Sequence, residues 1–223
     1  MKKQYYYVLG ALAIIGTAIY FRKSSKKSFL GLGKIFGSSS KENILFVGDS
    51  ITADTKWSYP ALVKKDIPYA NVDLNAKAGQ TTGWMLKNLP AKLAAKKYSK
   101  VFIYGGVNDS MNDTIKTSST VSNVQQMIDL SRNNGAQVYV ILGYEPNGFM
   151  DYKKMPLNRY MKKRELYIPM IEKYKNLQNA YSTQLRNATI IPKVNLSSNL
   201  TSDGIHPTTT GQRKIADKIL MYL

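Results

Sequence analysis

The feature that most limits the fold is an alternation. Apolar runs rich in β-branched and aromatic residues occur at Ile44–Val47, Val72–Leu74, Val101–Tyr104, Val138–Leu142 and Thr189–Ile191. Helical patterns lie between them, over about 58–66, 83–97, 119–133 and 166–186. A last one, over about 209–222, sets Ile215, Ile219 and Leu220 on one face. Strands separated by helices cannot close tight hairpins, so neighbours run parallel, with right-handed crossovers and helices on both faces of the sheet. The expected class is α/β. Asn134-Gly135 is a stop for the third helix, and Pro90 and Pro169 predict a kink or restart within theirs. Parallel strands share one carboxyl edge, and that is where such sheets bind ligands.

The residues just past each strand are therefore informative. Gly48-Asp49-Ser50 comes after the first run and Asn75 to Thr82, with Gly79, after the second. Gly105-Gly106-Val107-Asn108-Asp109 comes after the third, and Asp203-Gly204-Ile205-His206-Pro207 after the last. Each has an ordinary reading alone: a turn glycine, a cap at Asn108 or Asp203, a packed histidine. Together on one rim they are the parts that acyl transfer needs.

Composition removes competing chemistries. The 223 residues suffice for one domain with a real core, and 43% hydrophobic residues is a globular value. There is no cysteine, which excludes disulfides, thiol nucleophiles and cysteine-held metals. His206 is the one histidine, so a zinc site of several histidines is excluded as well; neither metal nor cofactor is expected. The formal net charge of +18 favours an anionic contact, but no zinc-finger, RNA-recognition or basic-zipper pattern points to nucleic acid. Eight of the 32 basic residues, and no acidic one, fall in residues 1–41, leaving the body from 42 at about +10.

Tyr5 to Phe21 is an uncharged run of 17 residues with aromatic ends, about 25 Å long as a helix. Residues 1–21 read as an N-terminal hydrophobic helix, an uncleaved membrane anchor in preference to a cleaved signal, because Arg22, Lys23, Lys26 and Lys27 come at once after it. Residues 22–41 read as a basic Ser/Gly linker and 42–223 as the globular domain. The expected location is a membrane surface with the domain outside the cytoplasm; secretion or a virion is the alternative.

The rim motifs, G-D-S-I-T, A-G-Q-T-T, G-V-N-D and D-G-I-H-P, resemble the four blocks of the SGNH hydrolases, the GDSL esterase/lipase family. The resemblance spans residues 43–223. It departs at Ile51, where leucine is commoner, and at Lys77, where small residues are usual. It implies a flavodoxin-like three-layer sandwich with a five-stranded parallel sheet. It also implies Ser50 as nucleophile, His206 as base and Asp203 as the carboxylate that orients the imidazole. The Ser50 and Gly79 backbone N–H groups and the Asn108 amide would form the oxyanion hole. Asp49 and Asp109 read as residues that hold loops.

The implied reaction is hydrolysis of acyl esters through an acyl-serine, with no cofactor. The expected substrate is an acetyl ester on an anionic or acetylated glycan or cell-wall polymer. A lipase or lysophospholipase is the alternative within the family, and a structural or binding protein keeping the fold is the alternative outside it. The stretch 147–165 comes after the fourth strand and reads as a substrate-facing loop rich in cations and aromatics. Tyr144, Phe149, Tyr152, Lys153, Lys154 and Tyr160 are its candidate binding residues.

Overall fold

The computed structural model describes residues 41–53, 56–144, 157–196 and 205–223 and, of residues 157–164, 166 and 167, the backbone alone. All belong to the unit Lys41–Leu223. The hydrophobic helix expected over 1–21 and the linker, apart from Lys41, lie outside the described residues. Among the described residues no helix is long and apolar enough to cross a membrane.

The strands are β1 (Asn43–Gly48), β2 (Asn71–Ala76), β3 (Lys100–Tyr104), β4 (Gln137–Ile141) and β5 (Thr189–Ile191). The helices are α1 (Tyr59–Asp66), α2 (Thr82–Ala95), α3 (Val107–Ser110), α4 (Thr117–Asn133), α5 (Leu157–Gln184) and α6 (Thr209–Leu220). The five strands form one parallel sheet in the order β2-β1-β3-β4-β5. That is the flavodoxin-like order. Helix α1 packs with α6, while α4 packs with both α2 and α5. Ile44, Leu45, Phe46 and Val47 of β1 are all fully buried. Their unbroken apolar run, without alternation, is what a strand covered on both faces requires.

Ring stacking fixes the register of the central strands. Phe46, Phe102 and Tyr139 are direct partners on β1, β3 and β4. Their rings stack with centroids 5.0 Å and 4.6 Å apart, and Tyr59 of α1 meets Phe46 edge-on at 5.6 Å. Each such pair contributes about 0.5–1.5 kcal/mol beyond area burial. A slip of one residue would turn a ring to the opposite face and lose the stack.

One expectation needs correction, and two details were not specified by the sequence. Helix α5 begins at Leu157, well before the pattern at 166, so the second half of the expected 147–165 loop is helical. Its first turns, LNRYMKKRE, hold a single turn of apolar spacing, Leu157, Tyr160 and Met161, set among cations and Asn158, a pattern short enough to read as a loop. Helices α2 and α5 run through Pro90 and Pro169 without a restart. The four-residue α3 is too short to leave a periodic signal.

Gly48 ends β1 where nothing larger fits. A Cβ there would collide with the Thr52 side chain and lie 2.8 Å from the Tyr104 carbonyl of β3. The backbone partner cannot move without disturbing the ladder. Gly48→Ala is expected to lower unfolding stability by about 1–3 kcal/mol, the range for an overpacked core. Urea denaturation measures this; an unchanged midpoint would show that the turn yields freely.

Candidate active site

The chain leaves β1 in a tight turn. The N–H groups of Thr52 and Ala53 both donate to the Asp49 carbonyl, at 3.1 and 2.8 Å. The Ile51 N–H donates to Asp49 Oδ1 at 3.0 Å. This turn holds Ser50 half-buried at the carboxyl edge of the sheet. Facing it is His206, also half-buried, which precedes the Thr208 cap of α6. Ser50 Oγ and His206 Nε2 are 2.9 Å apart, across 156 positions of sequence. With the imidazole proton on Nδ1, the serine hydroxyl donates to Nε2.

Two further loops reach the same rim. After β2 the chain turns at Lys77–Gln80, with the Gln80 N–H donating to the Lys77 carbonyl at 3.3 Å. Gly79 takes a left-handed φ of +72°, and a side chain there would touch nothing within 4 Å. Glycine serves the backbone conformation here, not a close approach. After β3, left-handed Gly106 starts α3, which carries Asn108. Asn108 Nδ2 donates one hydrogen to the Gln80 carbonyl at 3.0 Å. The amide nitrogen has a second hydrogen for another acceptor.

Asp109 locks these two loops together. The Thr82 N–H donates to Oδ2 at 2.9 Å, and the Thr82 and Thr120 hydroxyls donate to Oδ1 at 2.5 and 3.2 Å. One buried carboxylate thereby fastens the start of α2 to α3 and α4. The family whose model describes GDSL-like lipases and acylhydrolases matches residues 46–214. The chain belongs to that family. It is an enzyme of the ester-hydrolase kind.

Structures of GDSL-type proteins share the fold. A lipolytic protein of the G-D-S-L family from Desulfitobacterium hafniense superposes with a TM-score of 0.62 at 16% identity, covering 82% of this chain and 100% of its own. The lipase/acylhydrolase from Enterococcus faecalis gives 0.58 at 22% identity, covering 81% and 94%. The acetylxylan esterase Axe2 from Geobacillus stearothermophilus gives 0.57 at 15% identity, covering 83% and 95%. No curated protein matches the sequence.

Of the residues expected at this GDSL-type site, Ser50 and His206 come into contact, and Asn108 is tied to the Gly79 loop through Gln80. Asp203, Phe149, Tyr152, Lys153 and Lys154 lie outside the described residues. Tyr160 lies on α5 and not in a loop. Tyr144 must be corrected: it is 2% exposed, so its ring is part of the core and does not line an open substrate site. Sequence reasoning missed Thr82 and Thr120, whose bonds to Asp109 carry no local signal.

Asp49 is fully buried, and its Oδ2 has no hydrogen-bond partner among the described residues. Burial pushes its carboxyl from 3.8 up to about 6, against the opposing pull of the Ile51 N–H and His206. The raised value means that the protonated form suits the fold. That contribution is complete below pH 3.8 and is lost as pH rises through about 6. The difference is on the order of 3 kcal/mol. Asp49→Asn keeps an acceptor for the Ile51 N–H and cannot ionise. Relative to wild type, it should gain on the order of 3 kcal/mol of stability between pH 4 and pH 8. Denaturation curves at both pH values test this, and a pH-independent difference would refute it.

Proposed function

We propose that the chain is a serine esterase that removes acyl groups, acetyl above all, from a carbohydrate or cell-wall polymer. The observation that carries the chemistry is the 2.9 Å contact of Ser50 Oγ with His206 Nε2. Ser50 Oγ attacks the acyl carbon while its proton passes to Nε2. Asp203 holds the Nδ1 proton and stabilises the imidazolium. The developing oxyanion is received by the N–H groups of Ser50 and Gly79 and by the Asn108 Nδ2 hydrogen not used on Gln80. The C–O bond to the alcohol breaks, His206 protonates that oxygen, and the acyl-serine forms. Water then repeats the attack with His206 as base, releasing the acid and restoring Ser50. No cofactor is needed.

Three observations support the glycan reading. The body from residue 42 is basic, with 24 basic and 14 acidic residues. A neighbour in fold is named an acetylxylan esterase. Trp57 is the third. It is 50% exposed, with Lys56 Nζ 4.8 Å from its ring centroid. It sits on the connection that begins at Ser50 and returns at Tyr59, whose hydroxyl pairs with Thr52 Oγ1 at 2.9 Å. Two residues of chain reach at most about 7 Å, so the Trp57 backbone stays within that distance of the Tyr59 backbone. An exposed indole flanked by a cation offers a stacking face for a sugar ring and attraction for its anionic substituents.

A fluorophosphonate probe should label wild type at Ser50 and nothing else. Ser50→Ala should lose labelling and about 10⁶ in kcat on p-nitrophenyl acetate while remaining folded. A scaffold protein would not react, and labelling of the alanine variant would exclude Ser50 as nucleophile. Trp57→Ala should raise KM for an acetylated xylan or peptidoglycan about tenfold and leave kcat/KM for p-nitrophenyl acetate within about twofold, since only uniform binding is removed. Loss of activity on phospholipid vesicles instead would favour the lipase reading.

A further inference from the structure

Gln212 lies in the first turn of α6, six residues after His206, and is 8% exposed. Both ends of its amide are used. Oε1 accepts the Tyr59 N–H at 3.0 Å, and Nε2 donates to the Ile51 carbonyl at 3.3 Å. The Gln212 backbone N–H donates to the Thr208 carbonyl at 2.8 Å, and the Thr208 hydroxyl accepts the Gly211 N–H at 3.3 Å. The side chain is therefore fixed to the capped start of α6, just beyond His206. Its two partners are the residue next to Ser50 and the first residue of α1.

We propose that Gln212 is a positioning residue that sets the distance between Ser50 and His206. The inference rests on the reading of that pair as nucleophile and base. Ser50 and His206 belong to separate segments, 156 positions apart in sequence. A clamp between Ile51 and the α6 cap ties the two, because moving the Ser50 turn away from His206 breaks the bond to the Ile51 carbonyl. The amide does this with one side chain, offering an acceptor to the Tyr59 N–H and a donor to the Ile51 carbonyl. A carboxylate keeps the acceptor but has no donor. An alkyl side chain leaves both buried backbone groups unpaired.

Gln212→Glu and Gln212→Leu test this, with fluorophosphonate labelling rates, steady-state kinetics on p-nitrophenyl acetate and thermal melting. Misplacing reacting groups by about 1 Å costs up to 10²-fold. Both variants should melt cooperatively, yet label Ser50 about 10–10²-fold more slowly, with kcat reduced in step and KM within about twofold. Where the leucine variant does not fold, the glutamate variant, of nearly the same shape, gives the comparison. Wild-type labelling and kcat in folded variants, with only a lowered melting temperature, would overturn the proposal and leave Gln212 as packing. Failure of both to fold would overturn it too, by making the residue a determinant of the fold. If wild type itself does not react at Ser50, the esterase reading fails, independently of Gln212.

Discussion

Strands that all run the same way must all end on the same side. Everything at this site depends on that constraint. The parallel ladders β2-β1-β3 deliver three loop starts to one edge within two strand spacings. Neighbouring strands lie about 4.8 Å apart, so groups on adjacent loops fall within reach of one another with little searching. The stack of Phe46, Phe102 and Tyr139 holds that edge level, because it ties the same height on β1, β3 and β4. Chemistry is then a matter of which side chains the loops carry.

Behind the rim is a wall of buried tyrosines: Tyr59, Tyr104, Tyr144, Tyr174 and Tyr181. Burial pushes the hydroxyls of Tyr59, Tyr104, Tyr174 and Tyr181 up, so they stay neutral across physiological pH. The buried carboxylates among the described residues are Asp49 and Asp109, and they are treated differently. Asp109 receives three donors and works as a rivet between loops. Asp49 receives the Ile51 N–H on one oxygen, and its other oxygen has no hydrogen-bond partner among the described residues. The turn that carries Ser50 thus contains a carboxyl group whose ionisation burial disfavours.

The sheet was legible because its strands are short apolar runs separated by turn residues. The run at Thr189–Ile191 coincides with β5, and the others begin or end within two residues of their strands. Ser50, Gly79, Asn108 and His206 were legible because each lies in a short block with its own composition. The supporting bonds were not. Thr82 meets Asp109 across 27 positions, and Gln212 meets Tyr59 and Ile51 across 153 and 161. Such pairings depend on how helices pack on the sheet, and no local pattern encodes them. The early start of α5 was hidden for another reason: Leu157, Tyr160 and Met161 give only one turn of apolar spacing, set among cations, and so short a pattern does not separate a helix from a loop.

The separation of Ser50 from His206 also has a meaning in time. A ribosome makes the serine first and the histidine 156 residues later. At roughly 5–20 residues per second, that gap lasts on the order of ten seconds. Throughout it, the growing chain can present β1, β2 and β3 with their loops, yet it lacks the only imidazole in the protein. The Ser50–His206 pair is therefore completed late in synthesis, after the strands that hold it have all been made.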